Sequence, residues 1–532
     1  MVIPSFSFFL FVLLVCVIYF LVRKSDQWKV LLTASYAFYC LAAPGMLLFL
    51  LGSTLSAFFS GLWMEEADQA CARGITAAGD SLSKEGKNAF KSKRDRRKQR
   101  ILLTGLLINL GMLAFLKYFN FLALNLNSLL DLFSSNTRIP ALNLLLPLGI
   151  SFYTFQSCGY IIDVHRGKLA ADRHLAKFAL FLSFFPQIVQ GPISRYSQLA
   201  HQLYESHPAD YTRIKFGAQL MLWGLFKKMV IADRAAIAVN SIFANYKQEG
   251  GFVIFFGVAL YSLQVYCDFS GGIDIARGIA QVLGIELPQN FQRPFFATSI
   301  ENFWRRWHIT LGAWMRDYIF YPLSLSKTFA KLGRSARKLF GNDIGKLMPT
   351  FLAMFITFLT VGIWHGADWK FVAYGAWNGL LISTGILLGP SLNRALEKLR
   401  VDTDSKGWHF LKICGTFLLL TIGRYFSRAE SFPIALNMLK WTLRIFNPHV
   451  LQDGTLLNYG LTRQDYWVLL AAILVLLVAG ILQEKGKSVR ATIARQRLAW
   501  RWSLYLSAIF AILIFGIYGI QYNALDFIYM GF

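Results

Sequence analysis

The sequence predicts an all-α, polytopic integral membrane protein. Hydrophobic residues make up 55% of the 532-residue chain and charged residues only 16%, against roughly a quarter in soluble domains. Uncharged runs recur along the chain, and many approach the ~20 residues that cross a bilayer as a helix. The runs lack the alternation of β-barrel strands, and lipid admits only helices or closed barrels because every backbone polar group must be hydrogen-bonded.

The apolar runs predict about 11 to 13 membrane helices at ~20 residues each. They lie at 4–22, 30–63, 101–116, 141–162, 176–193, 216–232, 252–267, 347–364, 371–389, 410–422, 465–482 and 502–520. The run at 30–63 is long enough for two helices, which we expect Ala43-Pro44-Gly45 to separate. Arg23 and Lys24 follow the first run instead of preceding it, so residues 1–22 predict a retained helix and not a cleaved signal peptide.

The formal net charge of +25 predicts membrane orientation and not nucleic-acid binding. Lys and Arg concentrate in short segments beside apolar runs, as they do where positive charge is kept in the cytoplasm. The densest run, KSKRDRRKQR (91–100), belongs to a basic segment, 64–100, and a second basic segment spans 326–346. We expect both to be solvated cytoplasmic loops of a multi-pass protein of the cytoplasmic (inner) membrane, in contact with membrane lipid.

Three regions follow from the distribution of polar motifs: N-terminal membrane helices (1–139), a central core (140–390) and C-terminal membrane helices (391–532). The core places polar residues inside apolar context, as in YCDFSGGIDIARG (266–278). Ionisable groups at membrane depth are costly and mark functional cavities. Gly271-Gly272 and Gly191-Pro192 predict broken or re-entrant helices, which are tolerated where protein or water surrounds them.

The stretch FWRRWHITLGAWMRDYIFY (303–321) predicts one amphipathic helix. Thr298 and Glu301 form a capping box that places the helix start near Ser299, and Pro322 would end it. Helical spacing predicts that the residues of one aromatic face point to the interior: Trp304, Trp307, His308, Leu311 and Met315. His308 is then either a functional residue or a core histidine that bonds a backbone carbonyl.

His365 combines an apolar context with flanking glycines, Gly362 and Gly366, which leave space beside the ring. A neutral imidazole is the side chain best suited to accept a proton from a hydroxyl at physiological pH. No third histidine or carboxylate cluster accompanies His308 and His365, so we expect no metal site. The six cysteines are scattered and predict neither disulfides nor a zinc site.

A set of motifs in fixed order resembles the membrane-bound O-acyltransferase family, in its bacterial branch of alginate O-acetylation and teichoic-acid D-alanyl transfer proteins. The motifs cover about half of the chain: SFYTFQSCGYIIDVHRGK (151–168), FFPQIVQGPISRY (184–196), YCDFSGGIDIARG (266–278), NFQRPFF (290–296), FWRRWHITLGAWMRDYIFYPL (303–323) and GIWHGADWKFVAYGAWNG (362–379). The resemblance implies that 140–390 is the catalytic core of this family, built around a tunnel through the membrane.

By motif position, the resemblance implies that His365 is the catalytic histidine, as general base or transient acyl carrier. It implies that His308 assists by orienting the donor or stabilising the oxyanion. We expect the tunnel to be lined by residues near these motifs: Trp304, Trp307, Asp268, Asp274 and Asn378. A structural role at the helix break is an open alternative for the two aspartates. Trp377-Asn378-Gly379 departs from the Trp-His-Gly of many alginate-type members.

The expected reaction moves a small acyl group, acetyl first, from a cytosolic thioester for O-acylation of a cell-surface polysaccharide or cell-wall polymer. The donor would be acetyl-CoA or an acyl-carrier protein, with no permanently bound cofactor. Expected partners are a separate extracytoplasmic acyltransferase and a cytosolic acyl-carrier protein, and no nucleic acid. D-alanyl transfer for teichoic acid and a non-enzymatic transporter or channel are the alternatives.

Overall fold

The computed structural model describes residues 5–79, 82–133 and 137–518, and helices dominate these ranges. We number the α-helices in chain order: α1 Phe6–Leu21, α2 Gln27–Ala42, α3 Leu47–Ala77, α4 Lys84–Leu132, α5 Ile150–His165, α6 Leu175–Ser183, α7 Phe185–Ile188, α8 Tyr196–Tyr204, α9 Tyr211–Leu225, α10 Asp233–Ala244, α11 Gly251–Val282, α12 Ile300–Arg306, α13 Ile309–Met315, α14 Tyr321–Ser324, α15 Lys327–His365, α16 Trp369–Lys398, α17 Lys406–Arg428, α18 Phe432–Arg444, α19 Arg463–Glu484, α20 Val489–Ala494 and α21 Leu498–Phe515. The all-α prediction is confirmed.

Eight of the described helices are long and apolar enough to cross a membrane: α3, α4, α11, α15, α16, α17, α19 and α21. This is fewer than the number of apolar runs, because several runs form shorter helices. Helices α1, α2 and α5 have 16 residues each, and the run 176–193 is divided between α6, with 9 residues, and α7, with 4. The chain is a multi-pass membrane protein, and the expected separation of α2 from α3 at Ala43-Pro44-Gly45 is confirmed.

The two basic segments are helical, which corrects their prediction as loops. The run 91–100 lies inside α4, a helix of 49 residues, and most of 326–346 lies inside α15, which contains one non-helical residue, Gly341. Lys and Arg have high helix propensity, and carboxylates on α3 neutralise part of the charge on α4. Arg97 pairs with Glu66 at 3.1 Å and Lys98 with Asp68 at 2.6 Å. The cytoplasmic location of both segments stays a prediction.

The chain forms two compact units. Unit 1 comprises Met1–Ala218 and Ala276–Pro288, and unit 2 comprises Gln219–Ile275 and Gln289–Phe532. The division into 1–139, 140–390 and 391–532 stays a prediction. In unit 1 the predicted break at Gly191-Pro192 is confirmed, because α7 ends at Ile188 and the next helix begins at Tyr196. All predicted site residues belong to unit 2.

The predicted break at Gly271-Gly272 is wrong, because α11 runs without interruption from Gly251 to Val282. The glycine permits close packing instead. Opposite it in unit 2 lies Gly224, the penultimate residue of α9. A Cβ atom on Gly271 would lie 2.8 Å from the Gly224 carbonyl oxygen, and one on Gly224 would lie 2.6 Å from the Gly271 carbonyl oxygen. The two backbones are therefore closer than any side chain would allow.

We expect Gly271→Ala to lower the melting temperature of the purified protein, since the new methyl group forces apart two backbones, a strain that typically costs about 1–3 kcal/mol. Gly415→Ala is the matched control: Gly415 lies in α17 with no atom within 4 Å of its Cβ position, and alanine there favours the helix. Equal melting temperatures for Gly271→Ala and the unsubstituted protein would contradict the proposed contact.

Candidate active site

His308 lies at a break between two short helices, α12 and α13. Helix α12 begins at Ile300 with Ser299 as its N-cap, whose hydroxyl accepts from the Asn302 N–H at 3.0 Å. The predicted start near Ser299 is thus confirmed, although the capping side chain is not that of Thr298. His308 has φ 46° and ψ 50°, in the left-handed region, which few residues other than glycine, asparagine and aspartate adopt.

The single helix predicted up to Pro322 is wrong, and the preceding chain segment explains why. Phe291 and Trp307 form an isolated antiparallel bridge. The Gln292 N–H donates to the Arg306 carbonyl at 2.9 Å, and the Ile309 N–H donates to the Asn290 carbonyl at 3.0 Å. Pairing with residues 290–292 diverts the chain at Trp307, so the aromatic residues expected on one face belong to α12, the break and α13. Pro322 lies inside α14.

Asn290 holds the turn at His308. Its Oδ1 accepts from the Thr310 N–H at 2.9 Å and from the Thr310 hydroxyl at 3.0 Å, and it lies 3.4 Å from His308 Nδ1. Because this oxygen is an acceptor, we assign the imidazole hydrogen to Nδ1, which leaves Nε2 as an acceptor. Nδ1 of His308 therefore faces a side-chain amide.

The His308 ring is buried in an aromatic cage with 1% of its surface exposed. Its ring centroid lies 4.8 Å from that of Phe269 and 6.0 Å from that of Trp364, both in edge-to-face geometry. Burial lowers the pKa of His308 to about 3, since apolar surroundings disfavour the imidazolium. His308 is thus a neutral imidazole at physiological pH.

His365 is the last residue of α15 and is buried beside two aromatic rings. Its ring centroid lies 5.0 Å from that of Trp364 and 5.7 Å from that of Tyr374 on α16. The nearby Gly362 allows α15 and α16 to cross closely, because a Cβ there would lie 2.4 Å from the Phe371 carbonyl oxygen. Trp364 contacts the rings of both predicted histidines, so the structure brings His308 and His365 to one site.

The structure also brings Trp304 and Asn378 together. The indole N–H of Trp304 donates to Asn378 Oδ1 at 3.3 Å, and Asn378 Nδ2 donates to the Tyr374 carbonyl at 2.9 Å. Trp307 is buried and stacks on Phe303, with ring centroids 5.3 Å apart. We call Trp304, Trp307 and Asn378 the aromatic wall, which lies next to the two histidines. Its role in lining a tunnel stays a prediction.

Asp268 and Asp274 lie on α11 in a buried ion-pair network. Lys228 Nζ lies 2.6 Å from Asp268 and 2.8 Å from Asp233, while Lys227 Nζ lies 2.7 Å from Asp274. Both lysines belong to a π-helical segment, Phe226–Ala232. The pairs fasten this segment to α11 beside Phe269, which contacts His308. A role at the donor entrance stays a prediction for both aspartates.

Two residues near the histidines were missed by sequence reasoning: Tyr374 and Arg424. Arg424 is buried on α17, and its guanidinium carbon lies 4.9 Å from the Trp307 ring centroid. The Tyr374 hydroxyl lies beside the same guanidinium. Arg424 lies just after the apolar run 410–422, where a flanking cation is ordinary. Nothing in the local sequence predicts that residues 365, 374 and 424 lie close together.

No group of three or more His, Cys, Asp or Glu side chains that could hold a metal ion occurs in the part of the chain that the structure describes. The six cysteines are free thiols, and Cys71, Cys158 and Cys267 are buried. The site therefore contains two histidines beside aromatic rings, of which His365 lies at a helix end. Such a site can accept and return a proton away from bulk water.

Comparison with known proteins matches this chain to acyl-transfer enzymes. A sequence model of the membrane-bound O-acyltransferase (MBOAT) family matches residues 168–340. A Pseudomonas aeruginosa protein named "Probable alginate O-acetylase" is 33% identical over 476 residues, 89% of this chain and 80% of that protein. A peptidoglycan O-acetyltransferase of Helicobacter pylori is 31% identical over 64% of each chain. A teichoic acid D-alanyltransferase of Bacillus subtilis is 28% identical over 46% of this chain and 60% of its own.

We expect acid to destabilise the protein partly through His308. Its folded-state pKa of about 3 lies below the ordinary value near 6.5, so the unfolded chain binds the proton first and stability falls as the pH decreases from about 6.5 towards 3. His308→Asn, which tolerates the left-handed turn, should flatten the dependence of melting temperature on pH between 7 and 4. His409→Asn, at an exposed position, is the control, and an unchanged slope in His308→Asn would contradict this reasoning.

Proposed function

The chain belongs to the membrane-bound O-acyltransferase family, and from this premise we propose that it moves an acetyl group from a cytosolic thioester towards a hydroxyl group of a cell-surface or cell-wall polymer. Two of the similar proteins are named for O-acetylation, one of alginate and one of peptidoglycan. The chain is an O-acyltransferase by family, so the transporter or channel alternative is set aside. Acetyl is the proposed group, and D-alanyl is the second candidate because a D-alanyltransferase is among the relatives.

The observation that carries the catalytic proposal is the contact of Trp364 with the rings of both His308 and His365. In the proposed step, the His365 imidazole takes the proton of the attacking hydroxyl. The hydroxyl oxygen then bonds to the thioester carbonyl carbon. Collapse of the tetrahedral intermediate breaks the C–S bond, and the sulfur leaves as a thiol after receiving a proton from His365.

For His308 we propose that it orients the donor. With the hydrogen on Nδ1 facing Asn290, Nε2 presents a lone pair, which can accept a hydrogen bond from an N–H group of the donor. A bare lone pair cannot stabilise an oxyanion, so the alternative role fits this tautomer less well. The left-handed turn and the Asn290 contacts fix the ring direction, which is what a positioning group requires.

The donor in this proposal is acetyl-CoA or an acyl-carrier protein in the cytosol, and no cofactor is held permanently. We place the protein in the cytoplasmic membrane with its basic segments, 64–100 and 326–346, on the cytoplasmic side, since Lys and Arg are retained there. His365 precedes the short connection to α16, which in this proposal is where the thioester arm reaches it.

His365→Ala should reduce acyl transfer by about 100-fold or more, which is the scale of a lost general base. The measurement is transfer of labelled acetyl from acetyl-CoA to a soluble sugar alcohol, supplied in excess as the hydroxyl acceptor, by purified protein in lipid nanodiscs. His409→Ala, with an exposed histidine on α17, is the matched control and should keep full activity. A His365→Ala protein that is monodisperse and transfers acetyl at the unsubstituted rate would remove His365 from the mechanism.

We propose further that a second, extracytoplasmic acyltransferase completes the modification of the polymer. The longest described connection between α-helices, 445–462, consists of two 3₁₀ turns and a few extended residues. Such a segment offers little area for a polysaccharide chain, so we expect the proposed tunnel to admit only a small acceptor. The hydroxyl that receives the acyl group from this protein would then belong to the partner or to a carrier.

Reconstitution decides this point. Purified protein with labelled acetyl-CoA and de-acetylated polymer should leave the polymer unlabelled, while addition of a membrane and periplasmic extract from cells that lack this protein should label it. An extract supplemented with the His365→Ala protein is the control. Label on the polymer in the absence of extract would show that this chain completes the reaction alone.

A further inference from the structure

Among the residues of unit 2 that the structure describes, Arg424 differs from the other buried cations in having no carboxylate partner. Four Lys or Arg side chains in the described part of unit 2 are buried: Lys227, Lys228, Arg234 and Arg424. Lys227 pairs with Asp274, Lys228 with Asp268 and Arg234 with Asp465. Arg424, with 6% of its surface exposed, forms none of the ion pairs found among the described residues and instead lies over the Trp307 ring.

Arg424 is also the buried cation that lies beside the histidine pair. Its guanidinium adjoins the hydroxyl of Tyr374, and the Tyr374 ring packs edge to face against His365 at 5.7 Å. On its other side it stacks on Trp307, the residue before His308. A permanent positive charge thus lies one side chain away from His365 and one away from His308, in surroundings that screen it little.

We propose that Arg424 is a specificity residue that excludes acyl groups carrying a positive charge, so that the group transferred is neutral, as acetyl is, and not aminoacyl, as D-alanyl is. The inference rests on the proposed function, because it takes the reacting carbonyl to lie beside His365. An α-amino group on the acyl chain would then be an ammonium close to the guanidinium. Specificity of this kind comes from repulsion of the wrong substrate as much as from attraction of the right one.

The size of the effect follows from Coulomb's law. Two like charges separated by about 8–10 Å at an effective dielectric constant of about 20 repel enough to change a rate constant by on the order of tenfold. A carboxylate next to Arg424 would cancel most of this repulsion, as Asp268 and Asp274 do for the lysines. The missing carboxylate is therefore the feature that gives the site its selectivity.

The test compares two acyl donors of nearly equal shape, propionyl-CoA and glycyl-CoA, which differ by a methyl group against an ammonium group. Thiol release is measured with purified protein in nanodiscs at pH 6.5, with a soluble sugar alcohol in excess as the hydroxyl acceptor. The glycyl amine is mostly protonated at this pH, and thiol release without protein is subtracted as uncatalysed hydrolysis. We expect kcat/KM for propionyl-CoA to exceed that for glycyl-CoA by about tenfold or more. Equal values for the two donors would overturn the proposal without any variant.

Arg424→Met, which keeps the length of the side chain and removes the charge, should reduce the propionyl-to-glycyl ratio by about fivefold or more. Arg424→Lys keeps the charge and should keep most of the ratio, which separates charge from packing. A ratio in Arg424→Met within twofold of the unsubstituted protein would also overturn the proposal. Turnover of both donors by His365→Ala at the unsubstituted rate would instead reject the proposed catalytic residue, so the two failures are distinguishable.

Discussion

The left-handed turn at His308 is the constraint on which the active centre depends. A regular helix from Ile300 to Pro322 would carry the ring of His308 along the helix surface. The turn instead ends α12 at Arg306, starts α13 at Ile309 and directs the ring into the cage of Phe269 and Trp364. Asn290 satisfies the first N–H groups of α13 by accepting from Ile309 through its carbonyl and from Thr310 through its side chain. Removing this amide would leave buried donors unpaired, at about 1–3 kcal/mol for each group.

The buried charges near that turn are of two kinds: Lys227 and Lys228 pair with carboxylates, whereas Arg424 lies over an aromatic ring. The Lys227–Asp274 and Lys228–Asp268 pairs are buried and fasten the π-helical segment to α11. Breaking one such pair typically costs about 3–5 kcal/mol, because the remaining charge is left in an apolar interior. The same network keeps Phe269, between the two aspartates, against His308. Neutralised charges therefore support the cage, while in our proposal the charge of Arg424 acts on the acyl group.

The sequence predicted the helical fold and the two histidines, since apolar runs and polar residues within them are local signals. It failed where the outcome depends on distant segments. The break at Trp307 is imposed by pairing with residues 290–292. Nothing within the helix-forming stretch 303–321 itself predicts this break. Gly271 packs against Gly224 within an intact helix, whereas the glycine pair alone reads as a breaker. The contacts of Arg424 join α17 to α16 and to the break between α12 and α13, which spacing along the sequence cannot reveal.

Asn378 shows how the departure from the Trp-His-Gly pattern is compatible with acyl transfer. Its amide donates to the Tyr374 carbonyl one turn earlier and accepts from the Trp304 indole, so one neutral side chain serves a donor and an acceptor at once. A neutral histidine can also donate from one nitrogen and accept at the other, but an imidazole can take up a proton near neutral pH. An amide cannot be protonated in this pH range, and it therefore holds the aromatic wall to α16 without adding charge. Residue 378 therefore suits a positioning role, and our proposal assigns the proton transfer to His365.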